Sequence, residues 1–280
     1  MLPTAPTPQK QSVSDYSILL YGPSKAGKTT TASQADGALF LATEPGLNAL
    51  NAFQVPVTSW EDFLAACAEI AQGEHPFKTI VVDTVDLAYR FCSEHMLKKY
   101  SVEHESNMGY GKGYALVNNE FHRVLTKLAH LPCGLILISH AQEIEVETRT
   151  GKFTKTVPTL PEKARKIVLG LVDIILYCDV EVTRDANGQA TVRRVLRTKP
   201  TQYYEAGDRT GRLPEILDMD YRAFVAAFNA VTAPAPAPQP SAPAQKNPAP
   251  APQPSTPAQK NPAPASTPNA KTSPSETNGK

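Results

Sequence analysis

Short apolar runs alternate with segments of helical period along most of this 280-residue chain, from about residue 12 to residue 231. Five runs have the length and the nearly continuous apolar character of buried strands: YSILLYG, ALFLATE, KTIVVDT, GLILISH and VDIILYCDVEV. Strands that are apolar on both faces are typical of parallel sheets covered by helices. The pattern therefore predicts an α/β fold with a mostly parallel central sheet flanked by helices.

A helix is predicted from Lys28 to about Gln34, and three further segments between and after these runs have the features of helices. SWEDFLAACAEIAQG begins with Ser59 as an N-cap and ends at Gly73. GYALVNNEFHRVLTKLAHL places an apolar face at helical spacing, made of Tyr114, Val117, Phe121, Val124, Leu125 and Leu128. A terminal helix is predicted near DYRAFVAAFNAV, after a region with the pattern of β-hairpins.

The composition changes abruptly after residue 231. From residue 232 onward nearly every residue is Ala, Pro, Gln, Ser, Thr, Asn or Lys, and a 14-residue unit at 235–248 is repeated at 249–262 with one difference. Such a segment has too few large apolar side chains to offset its ordering entropy. We predict a flexible N-terminus at 1–11, a folded core at 12–231 and a disordered Pro-rich tail at 232–280. The tail is either a spacer or solubilising segment, or a tether for a single-strand-binding or replication protein.

Charge and cysteine content narrow the class of protein. The net charge is +1, so any nucleic-acid site must be a local basic patch. The four cysteines are far apart and form no paired motif, which argues against a disulfide framework or a zinc site. No apolar run approaches the ~18 residues of a membrane span. We expect a cytoplasmic protein without a membrane partner.

The first strand runs into GPSKAGKTT, which matches the phosphate-loop pattern G-x-x-x-x-G-K-[ST] between a strand and a helix. Backbone N–H groups of such a loop surround phosphate oxygens. The expected ATP-binding residues are Gly22, Pro23, Ser24, Lys25, Ala26, Gly27, Lys28, Thr29 and Thr30. Lys28 would supply charge to the outer phosphates, and the Thr29 hydroxyl would ligate Mg²⁺. Lys25 is either a solvated lysine or a second contact to the terminal phosphate or a neighbouring subunit.

Polar residues end the next strands at the edge of the sheet where this loop lies. Asp83 ends TIVVD and can hold Mg²⁺ through water. The residue after it is Thr84, so a glutamate that activates water must come from elsewhere. Glu44, after the second strand, can act as this general base or is a turn residue before Pro45. His140, with Ser139, ends the fourth strand and is placed to contact the γ-phosphate.

Taken in order, GPSKAGKTT, ATEPGLNAL, TIVVDT, LILISHAQE and RTKPTQYYEAGDRTGRLP resemble the phage RecA/RadA-like P-loop ATPases, the branch of Sak-type single-strand annealing and recombination proteins. The resemblance covers residues 15 to 218. It implies that Lys28 and Thr29 bind ATP and Mg²⁺, Glu44 is the catalytic glutamate, Asp83 is the Walker B aspartate and His140 senses phosphate. Because no separate N-terminal domain is recognised, annealing or an accessory role is expected rather than autonomous strand exchange.

Two segments are candidates for binding single-stranded DNA. A hairpin pattern flanks Thr150-Gly151, and its tip carries Arg149, Lys152, Phe153 and Lys155. Basic residues with an interleaved aromatic suit phosphate contact and base stacking. Lys112 lies in the second segment, the glycine-rich SNMGYGKGY. The alternatives are a solvated hairpin and a flexible connector.

Lys199 and Arg209 are candidates for reaching the ATP of a neighbouring subunit in a homo-oligomer, or are ordinary surface charges. The combined expectation is a DNA-dependent ATPase in phage recombination. Two alternatives stay open: a non-catalytic ATP-switch adaptor in replication, and a small-molecule kinase in which Arg193, Arg194 and Arg197 form a lid.

Overall fold

The computed structural model describes residue 2 and residues 4–109, 111–149, 151–184 and 188–230, all within the first of two units, Met1–Pro234. The strands of this part are β1 (Ser17–Gly22), β2 (Ala38–Ala42), β3 (Phe53–Pro56), β4 (Thr79–Asp83), β5 (Gly134–Thr148), β6 (Gly151–Pro158), β7 (Ile174–Arg184), β8 (Ala190–Arg197), β9 (Gly207–Asp208) and β10 (Ile216–Asp218). The α-helices are α1 (Lys28–Ala32), α2 (Trp60–Gln72), α3 (Val85–Lys99), α4 (Lys112–Ala129), α5 (Glu162–Leu171) and α6 (Tyr221–Ala230).

One sheet organises these elements, with the strand order β10-β8-β7-β1-β5-β4-β2-β3. The six strands from β7 to β3 are parallel, and β8 and β10 add antiparallel pairings at one end. β5 lies between β1 and β4, so Gly22 pairs with His140, and Asp83 pairs with Ile138. The carboxyl ends of β1, β2 and β4 and the middle of β5 therefore meet at one edge of the sheet. The predicted α/β class is confirmed.

The core lies on both faces of the sheet, because alternate side chains of each parallel strand point to opposite sides. Leu19 and Tyr21 of β1 join a cluster built around Trp60 on α2 and Phe121 on α4. Ile18 and Leu20 join the other cluster, which includes Phe224 of α6. This two-sided burial explains why the strands are apolar throughout rather than alternating.

The ends of α2 follow the predicted signals, whereas the predicted apolar face of α4 is partly wrong. The Ser59 side chain accepts the Asp62 N–H at the start of α2, and Gly73, with φ of 77°, ends the helix. In α4 the predicted apolar positions from Val117 to Leu128 are buried. Tyr114 is instead 39% exposed, because its ring packs edge-on against the exposed His104 rather than into the core.

Several elements differ from the sequence-based prediction. The fourth predicted strand does not end at His140: β5 continues to Thr148, because β6 supplies an antiparallel partner from Ala141 onward. β3, α3 and α5 were not predicted. The hairpin β5–β6 itself is present, with Thr148 paired to Gly151. Within the described chain, no helix combines the length and apolar character needed to cross a membrane. Thr150, Tyr110 and the predicted tail lie outside the described residues.

Candidate nucleotide-binding site

The loop between β1 and α1 has a backbone shaped by its glycines. A Cβ on Gly22 would lie 2.6 Å from the carbonyl oxygen of Cys178 on β7, so only glycine allows this close approach. Gly27 adopts φ of 110°, in the left-handed region. The buried Lys28 side chain folds back under the loop, and its Nζ donates to the carbonyl oxygens of Gly22 (2.9 Å) and Pro23 (2.8 Å). Burial lowers the pKa of Lys28.

Thr29 and Asp83 meet where the loop joins α1. The Thr29 hydroxyl donates to Asp83 Oδ2 at 2.8 Å. Asp83 is buried, and its second oxygen, Oδ1, has no hydrogen-bond partner among the described residues. Burial raises the pKa of Asp83, whereas the bond from Thr29 and the charge of Lys28 oppose this rise. A hydroxyl beside a carboxylate oxygen without a partner suits a hard cation such as Mg²⁺.

This pair is not a complete metal site by itself. Among the described residues, no cluster of three or more His, Cys, Asp or Glu side chains could hold a metal ion. Mg²⁺ keeps octahedral geometry and is commonly held by one or two protein oxygens together with substrate phosphates and water. A cation at Thr29 and Asp83 would therefore need phosphate oxygens as further ligands.

His140 connects the phosphate loop to the segment after β2. Its Nδ1 lies 3.2 Å from Ser24 Oγ in the loop, and its Nε2 lies 3.6 Å from Glu44 Oε1. The side chains of His140 and Glu44 are each about one-third exposed. The imidazole therefore spans the space between the loop and the predicted general base.

The segments after β2 and β4 are tied together beneath Glu44. The Thr43 N–H donates to the carbonyl oxygen of Asp83 at 2.8 Å, and the Thr84 N–H donates to Thr43 Oγ1 at 2.6 Å. The Thr43 hydroxyl in turn donates to the Thr84 carbonyl oxygen. These bonds hold the backbone of Glu44 and Asp83 in a fixed relation.

Asp86 is a residue of the site that the sequence analysis missed. It lies in the first turn of α3, where its carboxylate accepts the Ser139 hydroxyl (2.6 Å) and the His140 N–H (2.8 Å). Burial raises the pKa of Asp86 to about 6, although both bonds oppose this rise. Because Ser139 is fully buried on Asp86, only His140 of the predicted polar pair faces the loop. A helix predicted directly after β4 would have placed Asp86 in its first turn, beside the site.

A cleft of about 380 Å³ lies above these residues. Its walls bring together Glu44, Asp83 and His140 with the phosphate loop, as the sequence analysis expected. Lys25 also lines the cleft and is held at φ of 61°, a backbone conformation uncommon for a side chain other than glycine. Arg194 of β8 completes the wall, which the ATP-site prediction did not include.

The three arginines of the alternative kinase lid are placed differently from one another. Arg193 Nε lies 3.3 Å from Asp218 Oδ1, and Arg197 Nε donates to Asp179 Oδ2 at 2.6 Å. Only Arg194 of the three lines the cleft. The structure therefore does not bring the three guanidinium groups together as one clamp.

The candidate DNA-binding lysines of the hairpin carry acidic partners. Lys152 Nζ lies 2.9 Å from Glu145 Oε1, and Lys155 Nζ lies 2.8 Å from Glu205 Oε1. None of the candidate residues on this hairpin is among those lining the cleft. They form a separate region on the β5–β6 hairpin, which continues along β5 beyond His140.

The other DNA-binding candidates are distributed over two elements. Phe153 packs edge-on against Tyr203, with ring centroids 6.3 Å apart, and Tyr203 is 56% exposed. Arg149 is exposed in the turn after β5, and Lys112 is the exposed first residue of α4. Their role in binding DNA stays a prediction.

The two candidates for acting on a neighbouring subunit have contacts within their own chain. Lys199 Nζ lies 3.6 Å from Asp208 Oδ2. Arg209 contacts Asp173 and donates to the carbonyl oxygen of Gly170 at 2.7 Å. Their role in an assembly also stays a prediction.

A parallel sheet with a phosphate loop after β1, an aspartate ending β4 and a polar residue on the intervening β5 is the arrangement of a P-loop nucleotide-binding domain. Comparison with known families agrees: the family AAA_24, described as an AAA domain, matches residues 14–210. The chain belongs to this family.

Individual relatives were also found. The SPbeta prophage-derived uncharacterized protein YorG of Bacillus subtilis (strain 168) is 28% identical over 190 residues, covering 65% of this chain and 54% of that protein. The chain thus spans about half the length of this curated relative.

Among solved structures, the flagellar accessory protein FlaH from Methanocaldococcus jannaschii has a TM-score of 0.40 at 10% identity, covering 73% of this chain and 84% of that one. The KaiC-like protein PH0186 from Pyrococcus horikoshii OT3 has a TM-score of 0.37 at 13% identity, covering 66% and 79% respectively.

Proposed function

We propose that this protein is a Mg²⁺-dependent ATPase that is stimulated by single-stranded DNA and promotes annealing or recombination of phage DNA. The observation that supports ATP hydrolysis most directly is the arrangement of Lys28, the Thr29–Asp83 pair and the His140–Glu44 pair around one cleft. Each of these groups has a separate role in phosphoryl transfer to water.

The roles follow from the chemistry of each side chain. Lys28 and the backbone N–H groups of the loop would bind and orient the phosphates, and Thr29 and Asp83 would hold Mg²⁺. The metal ion, when bound, would supply positive charge that offsets the charge of the phosphates. Glu44 orients a water molecule and accepts its proton as general base. The backbone N–H of His140 is held by Asp86. The imidazole of His140, which lies beside Glu44, would contact the terminal phosphate.

The hairpin β5–β6 supports the proposed stimulation by DNA. β5 carries His140 at the cleft and continues without interruption to Thr148 at the hairpin end. DNA phosphates would replace Glu145 and Glu205 as the partners of Lys152 and Lys155, while Phe153 and Tyr203 offer rings for stacking. Binding at the hairpin could then alter the position of His140 through one strand. The prophage origin of YorG supports the phage context.

The test compares ATPase rates of the wild type, Lys28→Ala and the control Lys78→Ala, each with and without single-stranded DNA. Lys78 is exposed and is not among the residues lining the cleft. We expect DNA to raise the rate of the wild type and of Lys78→Ala, and Lys28→Ala to lose at least about 100-fold in rate, because the preorganised charge of Lys28 stabilises the transition state.

Undiminished hydrolysis by Lys28→Ala would contradict the site assignment. A wild-type rate that DNA leaves unchanged would contradict the proposed DNA dependence. Retained ATP binding with negligible turnover, even with DNA, would favour the ATP-switch adaptor. An annealing assay with complementary strands then tests the proposed role in recombination.

A further inference from the structure

The hairpin β7–β8 extends past the end of β1 and brings one arginine to the phosphate loop. β7 pairs with β1 up to Tyr177, opposite Tyr21, and then continues to Arg184 before β8 returns antiparallel to it. Arg194 pairs with Val180, three residues beyond Tyr177. This register places Arg194 at the level of the loop that follows β1.

The guanidinium of Arg194 lies against one particular end of that loop. A Cβ built on Gly27 would be 3.6 Å from Arg194 Nη1 and 3.7 Å from Met219 Cε. The Met219 N–H donates to the carbonyl oxygen of Arg194, so the two residues are held together above Gly27. His140 contacts the opposite end of the loop, at Ser24.

Arg193 and Arg197 form ion pairs with carboxylates, whereas Arg194 forms none with the described residues. Arg193 and Arg197 project from the other face of β8, where Glu181 lies near both of them. No carboxylate of the described residues lies within ion-pair distance of Arg194. An exposed cation that lines a cleft and has no acidic partner is available for an anionic ligand.

A nucleoside triphosphate bound in this cleft would require more positive charge than Lys28 supplies. It contains the carboxylates of Glu44 and Asp83, whereas Lys28 already uses two of its three donors on the loop itself. A nucleoside triphosphate would add several negative charges. Arginine is suited to this position because its planar fork donates two hydrogen bonds to phosphate oxygens.

We propose that Arg194 binds the nucleotide in cis, by contacting the α- and β-phosphates at the Gly27 end of the loop. This inference rests on the proposed ATP site and adds to it a binding residue from the same chain. The γ-phosphate lies at the Ser24 end, where Glu44 and His140 meet. Arg194 therefore holds ATP and ADP alike and does not distinguish between them.

Equilibrium titration calorimetry with ATP and ADP, in the presence of Mg²⁺, tests this role on the full chain. We expect Arg194→Ala to weaken both affinities about tenfold, or ~1.4 kcal/mol. Arg194→Lys should give a smaller loss, because the charge remains while the fork is removed. The control is Arg193→Ala, which removes a guanidinium from the adjacent residue on the opposite face and should stay within about twofold of the wild type.

The outcomes separate this proposal from the ATP site itself. Arg194→Ala with wild-type affinity for both nucleotides, alongside loss of binding in Lys28→Ala, would overturn the role of Arg194 alone. A loss confined to ATP would overturn the placement at the α- and β-phosphates. Unchanged binding in Lys28→Ala would overturn both proposals. Thermal unfolding without nucleotide identifies any variant that loses affinity because it is misfolded. If Arg194→Ala is misfolded, the affinities of Arg194→Lys for ATP and ADP decide whether Arg194 binds the nucleotide.

Discussion

Two aspartates three residues apart have different roles at the edge of the sheet. Asp83 ends β4 near the phosphate loop, and one of its carboxylate oxygens has no hydrogen-bond partner among the described residues. Asp86 has both oxygens engaged, one by the Ser139 hydroxyl and one by the His140 N–H. Asp83 is thus available to a cation, whereas Asp86 fixes the backbone that carries the phosphate-sensing candidate.

The raised pKa of Asp86 predicts a specific pH dependence of stability. A carboxyl whose pKa is about 6 in the folded state and near 4 when unfolded binds more protons in the folded state between these values. Its contribution therefore falls as pH rises from about 4 to 6, by ~3 kcal/mol. His140 and Lys28, the charged groups facing it, oppose the shift.

Urea unfolding of the wild type and Asp86→Asn, without nucleotide, measures this contribution across pH 4 to 7.5. Because Asn does not titrate, the variant should gain stability relative to the wild type as pH rises through this range. Carboxyls elsewhere affect both proteins equally and cancel in the difference. A difference in free energy that is constant with pH would show that Asp86 does not titrate as inferred.

At the scale of the element, α6 contains a short sequence motif whose phenylalanine packs in the core. Its sequence contains FVAA at 224–227, which resembles a Phe-x-x-Ala polymerisation pattern of RecA-like proteins. Phe224 is only 2% exposed and joins the cluster on one face of the sheet. Its ring packs against that of Tyr221 in the same helix. The position therefore belongs to the core.

Phe224→Ala should accordingly lower the free energy of unfolding by about 3–5 kcal/mol, through lost burial and the cavity that remains. Arg222→Ala, at an exposed position of the same helix, is the matched control and should change stability by less than about 0.5 kcal/mol. Denaturant unfolding measures both. A Phe224→Ala protein of normal stability that loses only its assembled mass would instead assign the motif to polymerisation.

At the scale of the whole molecule, the described fold is closed by α6 at its carboxyl end, before the composition changes. One of the two core clusters includes Phe224 and Phe228 of α6. α6 is therefore part of the core, and its residues precede the Pro-rich sequence.

Removal of residues 233–280 should leave the unfolding temperature and ATP affinity unchanged, because that segment has no large apolar side chains to bury. If the tail is a tether, the truncation should abolish binding to a single-strand-binding protein, measured by pull-down against the full chain. A lowered unfolding temperature would contradict the predicted domain boundary. Retained partner binding would contradict the tether and leave the spacer.

The sequence by itself determined the class of fold, the phosphate loop and the edge of the sheet at which Asp83, Glu44 and His140 meet. These features depend on local patterns, namely continuous apolar strands, a glycine spacing and polar residues where the strands end. The same local reasoning placed both ends of α2 and the hairpin β5–β6.

Only the tertiary structure decided which residues share a site across long separations in sequence. The extension of β5 depends on its pairing with β6, and the position of Asp86 depends on α3, whose mixed polarity hides it in the sequence. Arg194 lies 167 residues after Gly27 and reaches it only because β7 is adjacent to β1 and the β7–β8 hairpin extends past that strand. Strand order and register, rather than any local motif, add this cation to the cleft.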